Sequence, residues 1–105
     1  MKNPNRLVQI LLPTFRRDGS PVPQAVFDGI AHELTEKFGG VTSYLRAPAE
    51  GRWQSGSGTE HDKIVVVEVM TEEIDTAYWS SLRKHLEHEL AQDRIVIRCH
   101  IVQLL

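Results

Sequence analysis

A single cysteine, Cys99, in 105 residues excludes an internal disulfide framework and any cysteine-built zinc ribbon. Long hydrophobic runs are missing too. The longest purely apolar stretch, IVVV at 64–67, falls far short of the roughly 20 residues that a membrane-spanning helix needs. Nor is there an excess of positive charge: 12 Lys and Arg stand against 14 Asp and Glu, for a net charge of −2. That balance argues against a protein that binds nucleic acid through bulk electrostatics. The first residues, MKNPNR, are polar and lack the apolar core and small-residue cleavage site of a secretory signal, so a cytoplasmic protein is expected. What remains, 41% hydrophobic and 25% charged side chains, describes one ordinary domain with one core, expected to occupy residues 1–105.

Two periods alternate along the chain. Arg6–Pro13 (RLVQILLP) alternates like a strand, and Pro13 ends it because proline cannot donate to a ladder. The segment 14–23 holds Asp18-Gly19 and two prolines and reads as a loop containing a turn. From Gln24 to Phe38 the spacing becomes helical, with Phe27, Ile30, Ala31, Leu34 and Phe38 on one stripe, and Gly39-Gly40 stops it. A second strand is expected over 41–47 (VTSYLRA), then a long aperiodic connection over 48–62, then the strongest strand at 63–70 (KIVVVEVM). Thr71 is the expected N-cap of a second helix running to about Gln92, on the stripe Ile74, Tyr78, Leu82, Leu86 and Leu90. Residues 94–105 close the pattern as a last strand. The order β-α-β-β-α-β predicts a ferredoxin-like α+β fold, a four-stranded antiparallel sheet in the order 4-1-3-2 with two helices on one face.

Alternation assigns each strand residue to a face. One set, including Val8, Ile10, Leu12, Leu45, Val65, Val67, Val69, Ile95, Ile97 and Cys99, is almost purely aliphatic and should lie under the helices, with Cys99 a small core residue. The opposite set is mixed. Leu7, Leu11, Val66, Met70 and Val96 form an apolar ground, and Gln9, Thr42, Tyr44, Arg46, Glu68, Arg98 and His100 are set into it. A bare sheet face is normally mostly polar, so this one calls for a cover. A second copy of the chain is the expected cover, as two-fold dimers are the commonest oligomers, and the long connection over 48–62 is the alternative cover for part of it.

With the strand centres level, Gln9, Glu68 and His100 converge. A carboxylate beside an imidazole favours its charged form and fixes its tautomer, the arrangement that acid–base work requires. In one reading His100 is the acid–base group and Glu68 its orienter, with Arg98 and Arg46 anchoring a small anionic ligand. Gln9 joins them on the floor, and Tyr44 and Trp53 form the walls. In the other, Glu68 forms a salt bridge with Arg98 or Arg46 at an interface, and the chain is a non-catalytic assembly module. No cofactor or metal is expected: His61, Asp62 and Glu68 have no ligand spacing, and His85 and His88 lie on a solvated helix face. Trp79 falls off the main helical stripe and should border the core or a contact surface rather than bind a cofactor.

Phe38-Gly39-Gly40-Val41-Thr42, then Arg46-Ala47-Pro48-Ala49-Glu50-Gly51-Arg52-Trp53, then the strand over 62–70, resemble a set of small uncharacterised bacterial proteins. In these an Arg-Phe-x-x-Gly-hydrophobic-Thr segment precedes Gly-x-Trp and a strand; here Lys37 stands before the Phe. The resemblance implies a ferredoxin-like domain and leaves its activity open. More distantly the architecture looks like the dimeric α+β barrel proteins, which include cofactor-free monooxygenases and small-molecule isomerases. Phe15-Arg16 resembles the phosphate loop of the acylphosphatases, but Leu12-Pro13-Thr14 replaces its glycines, and its Gly-Trp-Val-x-Asn segment is missing. RNA-recognition modules share the topology but stack bases on aromatic residues of the first and third strands, where this chain has Leu7, Gln9, Leu11, Val66 and Glu68.

Overall fold

The computed structural model describes residues 5–46 and 63–105. In chain order it contains β1 (Arg6–Pro13), α1 (Gln24–Phe38), β2 (Thr42–Arg46), β3 (Ile64–Thr71), α2 (Thr76–Glu89) and β4 (Val96–Ile101). The strands form one sheet in the order β2-β3-β1-β4, with every neighbouring pair antiparallel. This is the expected order read from the other edge. Both helices pack on one face, so the fold is ferredoxin-like α+β.

The aliphatic residues of the covered face build the core. Val8, Ile10 and Leu12 of β1 and Val67 and Val69 of β3 meet Ile30 and Leu34 of α1 and Leu82 and Leu86 of α2. Burying such side chains contributes roughly 1.5–3 kcal/mol each and gives the sheet its orientation. Trp79, expected at the border, belongs to this core and is only 6% exposed. Its ring is covered by Phe38, stacked 5.2 Å away with the planes 10° apart. Tyr78 meets both rings edge-on and donates to Glu33 across the helix pair at 3.2 Å. Loss of hydration, and then the Glu33 carboxylate, push the Tyr78 phenol up to about 12.

Helix ends follow local chemistry. Gly39, with φ of 89°, closes α1 through a bond from its N–H to the Thr35 carbonyl at 2.8 Å. Thr71 is not the cap of α2: it continues β3 opposite Arg6, and Asp75 accepts from the Tyr78 N–H at 3.1 Å instead. Aspartate is a strong N-cap, and the turn over 72–75 lets the strand finish first. At the other end of α2, Ala91 takes a positive φ of 50°. The Ala91 N–H bonds the His88 carbonyl and the Gln92 N–H bonds Glu87, the double closure of a Schellman motif. Glu87 then ties α2 to β4, accepting from the Ile95 N–H at 3.0 Å and from Arg83 at 2.9 Å. The Ile95 bond, followed by Arg83, holds its carboxyl below the ordinary value of 4.5.

The loop after β1 is fastened to the end of α2. Arg17 pairs with Asp93 and its N–H bonds the Ala91 carbonyl, while Gln92 donates to the Phe15 carbonyl at 2.8 Å. Arg16 reaches the Pro21 carbonyl, and Asp18 accepts from both the N–H and the hydroxyl of Ser20. The basic pair is thereby engaged in holding a turn rather than framing an anion cradle.

One expectation about the core fails. Cys99 is exposed, although it lies on the helix side of the sheet. Its strand starts beside the C-terminus of α2, where Ile95 is 1% exposed, and runs back past the N-terminus of that helix. Ile97 is partly covered, Cys99 is not, and Ile101 is 71% exposed. Leu45, on edge strand β2, is likewise 59% exposed. The two helices leave these corners of the sheet uncovered.

Candidate functional site

On the face opposite the helices, antiparallel register sorts the side chains into rows across the strands. One row holds His100, Leu7 and Met70; the next holds Arg98, Gln9, Glu68 and Thr42; the third holds Val96, Leu11, Val66 and Tyr44. The middle row is polar and the third is apolar apart from the Tyr44 hydroxyl. Val66 is buried and Leu7, Leu11 and Met70 are half-buried, so the face is mixed as expected.

Three members of the polar row form a connected chain, joined from the next row by Tyr44 of β2. Arg98 donates through Nε to the Gln9 Oε1 at 3.0 Å. Gln9 donates through Nε2 to the Glu68 Oε2 at 2.8 Å, and the Tyr44 hydroxyl reaches the same Oε2 at 3.2 Å. An amide suits the central position because it accepts from a cation on one side and donates to an anion on the other. Gln9 therefore holds Arg98 and Glu68 apart, and the two form no salt bridge with each other within the chain. Bonds to charged groups are the stronger kind, so this chain fixes three side chains on β1, β3 and β4 in one orientation.

His100 sits in the neighbouring row opposite Leu7, two residues beyond Arg98, and is exposed. No hydrogen bond or ion pair joins it to Glu68 within the chain; the partners of Glu68 are Gln9 and Tyr44. The structure thus brings together Gln9, Glu68, Tyr44 and Arg98 and leaves His100 beside them. Arg46 occupies β2 opposite Ile64, with its side chain outside the described set. Trp53, His61 and Asp62 lie outside the described residues. Among the described residues no cluster of three or more His, Cys, Asp or Glu side chains is placed to hold a metal ion. No helix among them is long and apolar enough to cross a membrane.

Two hollows elsewhere went unnoticed in the sequence. A groove of about 300 Å³ between the helices is bordered by Gly29, Glu33, His85 and Glu89. A crevice of about 140 Å³ opens between the start of α2 and β4, lined by Ile74, Trp79, Ile97 and Cys99. The second could not be anticipated from spacing, since it depends on how α2 docks against β4.

No protein-family model matches the chain, and no curated protein matches it. Among solved structures, a phage SAM lyase in complex with S-methyl-5′-thioadenosine shares the fold, with a TM-score of 0.63 over 96% of this chain and 84% of that one. Identity is 10%, so the likeness is one of fold.

Proposed function

We propose that the chain is a cytoplasmic small-molecule-binding protein or cofactor-free enzyme whose site lies on the open sheet face. One observation carries the reading: Arg98 has a neutral amide as its hydrogen-bond partner and no ion pair among the described residues, and unpaired His100 stands two positions away. A cationic head without a countercharge, held by a fixed amide and flanked by apolar rows, suits a small ligand with an anionic or strongly polar group. His100 is the residue suited to proton transfer, Gln9 and Glu68 hold the frame, and Tyr44 forms a wall. The fold it shares with a lyase that binds a small nucleoside thioether supports a ligand of modest size. The exposed free thiol of Cys99 suits a reducing compartment.

Calorimetric titration with S-methyl-5′-thioadenosine and, separately, inorganic phosphate tests this. Binding of either probe that weakens about tenfold or more in both Arg98→Ala and His100→Ala is the expected result, corresponding to about 1.4 kcal/mol for each tenfold step. Absence of heat with both probes, or affinities unchanged in both variants, would refute it.

A further inference from the structure

The polar row is self-complementary in a way that a single chain does not use. Neighbouring strands stand about 4.8 Å apart, so Arg98 on β4 and Glu68 on β3 lie on either side of β1 at nearly equal distances. A two-fold axis along β1, in the plane above the open face, exchanges these two positions. It sets Arg98 of each copy against Glu68 of the other, with Gln9 meeting Gln9. The flanking rows also match: Leu7 meets Leu7 and Leu11 meets Leu11. Aligned sheet-on-sheet packing at about 10 Å has this geometry.

Other axes do worse on charge. An axis across the strands stacks Arg98 on Arg98 and Glu68 on Glu68. An axis midway between β1 and β3 sets Arg98 against Thr42 and Glu68 against Gln9, which covers both charges without a countercharge. We infer that a second copy of the chain covers the open face about an axis along β1, bound by reciprocal Arg98–Glu68 pairs. The inference rests on the reading of that face as the working one: with Nε on Gln9, the two Nη groups of Arg98 are shared between Glu68 of the second copy and the ligand. β2 of the second copy then extends beyond the β4 edge, and Glu68 and Met70 of the second copy wall the space beside Arg98 and His100. The carboxylate that His100 lacks among the described residues thus arrives one row away, from the other copy.

Light scattering on a sizing column at about 100 μM, a concentration at which a micromolar complex is assembled, measures the state. The wild type is expected at the mass of two chains. Arg98→Glu and Glu68→Arg, each placing like charges face to face, should weaken the dimer tenfold or more, and combining them should restore it to within a few-fold. Arg98→Gln, which removes the charge and disturbs the sheet least, should weaken it severalfold. A monomeric wild type overturns the inference. So does a dimer indifferent to the single reversals, or one that the double reversal fails to rescue. Dimerisation without binding of either small-molecule probe removes the ligand and leaves the interface standing; binding by a monomer does the opposite.

Discussion

Ala91 occupies a position that favours glycine, and the consequence can be worked out. Its φ of 50° lies in the left-handed region, at the residue just past the C-cap of α2. A side chain there costs about 1–2 kcal/mol, because Cβ crowds the following carbonyl. Replacing it with glycine removes that strain but frees the unfolded chain, which returns about 0.4–1 kcal/mol. Ala91 is half-buried, so the lost methyl returns roughly another 0.4 kcal/mol, half the value of a buried CH₂. The net stabilisation for Ala91→Gly is about 0.5 kcal/mol, or roughly 2–4 °C in Tm for a domain of this size. Ala91→Val, whose branched Cβ fits the left-handed region worst, should move Tm the other way. Thermal unfolding followed by far-ultraviolet circular dichroism reads both. A lower Tm for the glycine variant, or none lost by the valine variant, would mean that the bonds from Ala91 and Gln92 to the helix end do not depend on this backbone conformation.

Two titrations probe the links between elements. The Glu87 carboxyl is held below 4.5, first by the Ile95 N–H and then by Arg83, so its contribution to stability is present above that value and is lost as the pH falls through the lower, folded one. Glu87→Gln should flatten the acid side of a stability-against-pH curve measured by urea unfolding, and an acid limb that stays as steep would refute the assignment. Tyr78, raised to about 12, favours the neutral phenol in the folded state, so its contribution is intact below 10 and is lost as the pH rises toward 12. The phenolate absorbance missing from Tyr78→Phe should therefore appear near pH 12, and only part of the way back towards 10 in Glu33→Gln, because burial, the larger cause, remains; ionisation near 10 in the wild type would contradict it.

Most of the fold could be read from the sequence because the spacing of apolar residues changes sharply between a period of two and a period of 3.6. Ile30, Leu34, Leu82 and Leu86 were placed by their helical spacing, and Val8, Ile10, Leu12, Val67 and Val69 by alternation. The face carrying Gln9, Glu68 and Arg98 was legible for the same reason. Register was harder, since alternation fixes which face a residue occupies and not what stands opposite. Apolar alternation continues past Ile101, so a strand judged from pattern alone extends to 105 and has its centre near His100. Pairing in fact stops at Ile101, and the centre moves back by one pair on the same face. That shift sets Arg98, rather than His100, opposite Gln9 and next to Glu68 across β1. The error has a chemical consequence: a carboxylate expected to tune an imidazole instead ends a hydrogen-bonded chain that begins at a guanidinium. The exposure of Cys99 has a related origin, because strand length is written locally whereas helical cover depends on docking. The features missed were those set by where one element ends against another.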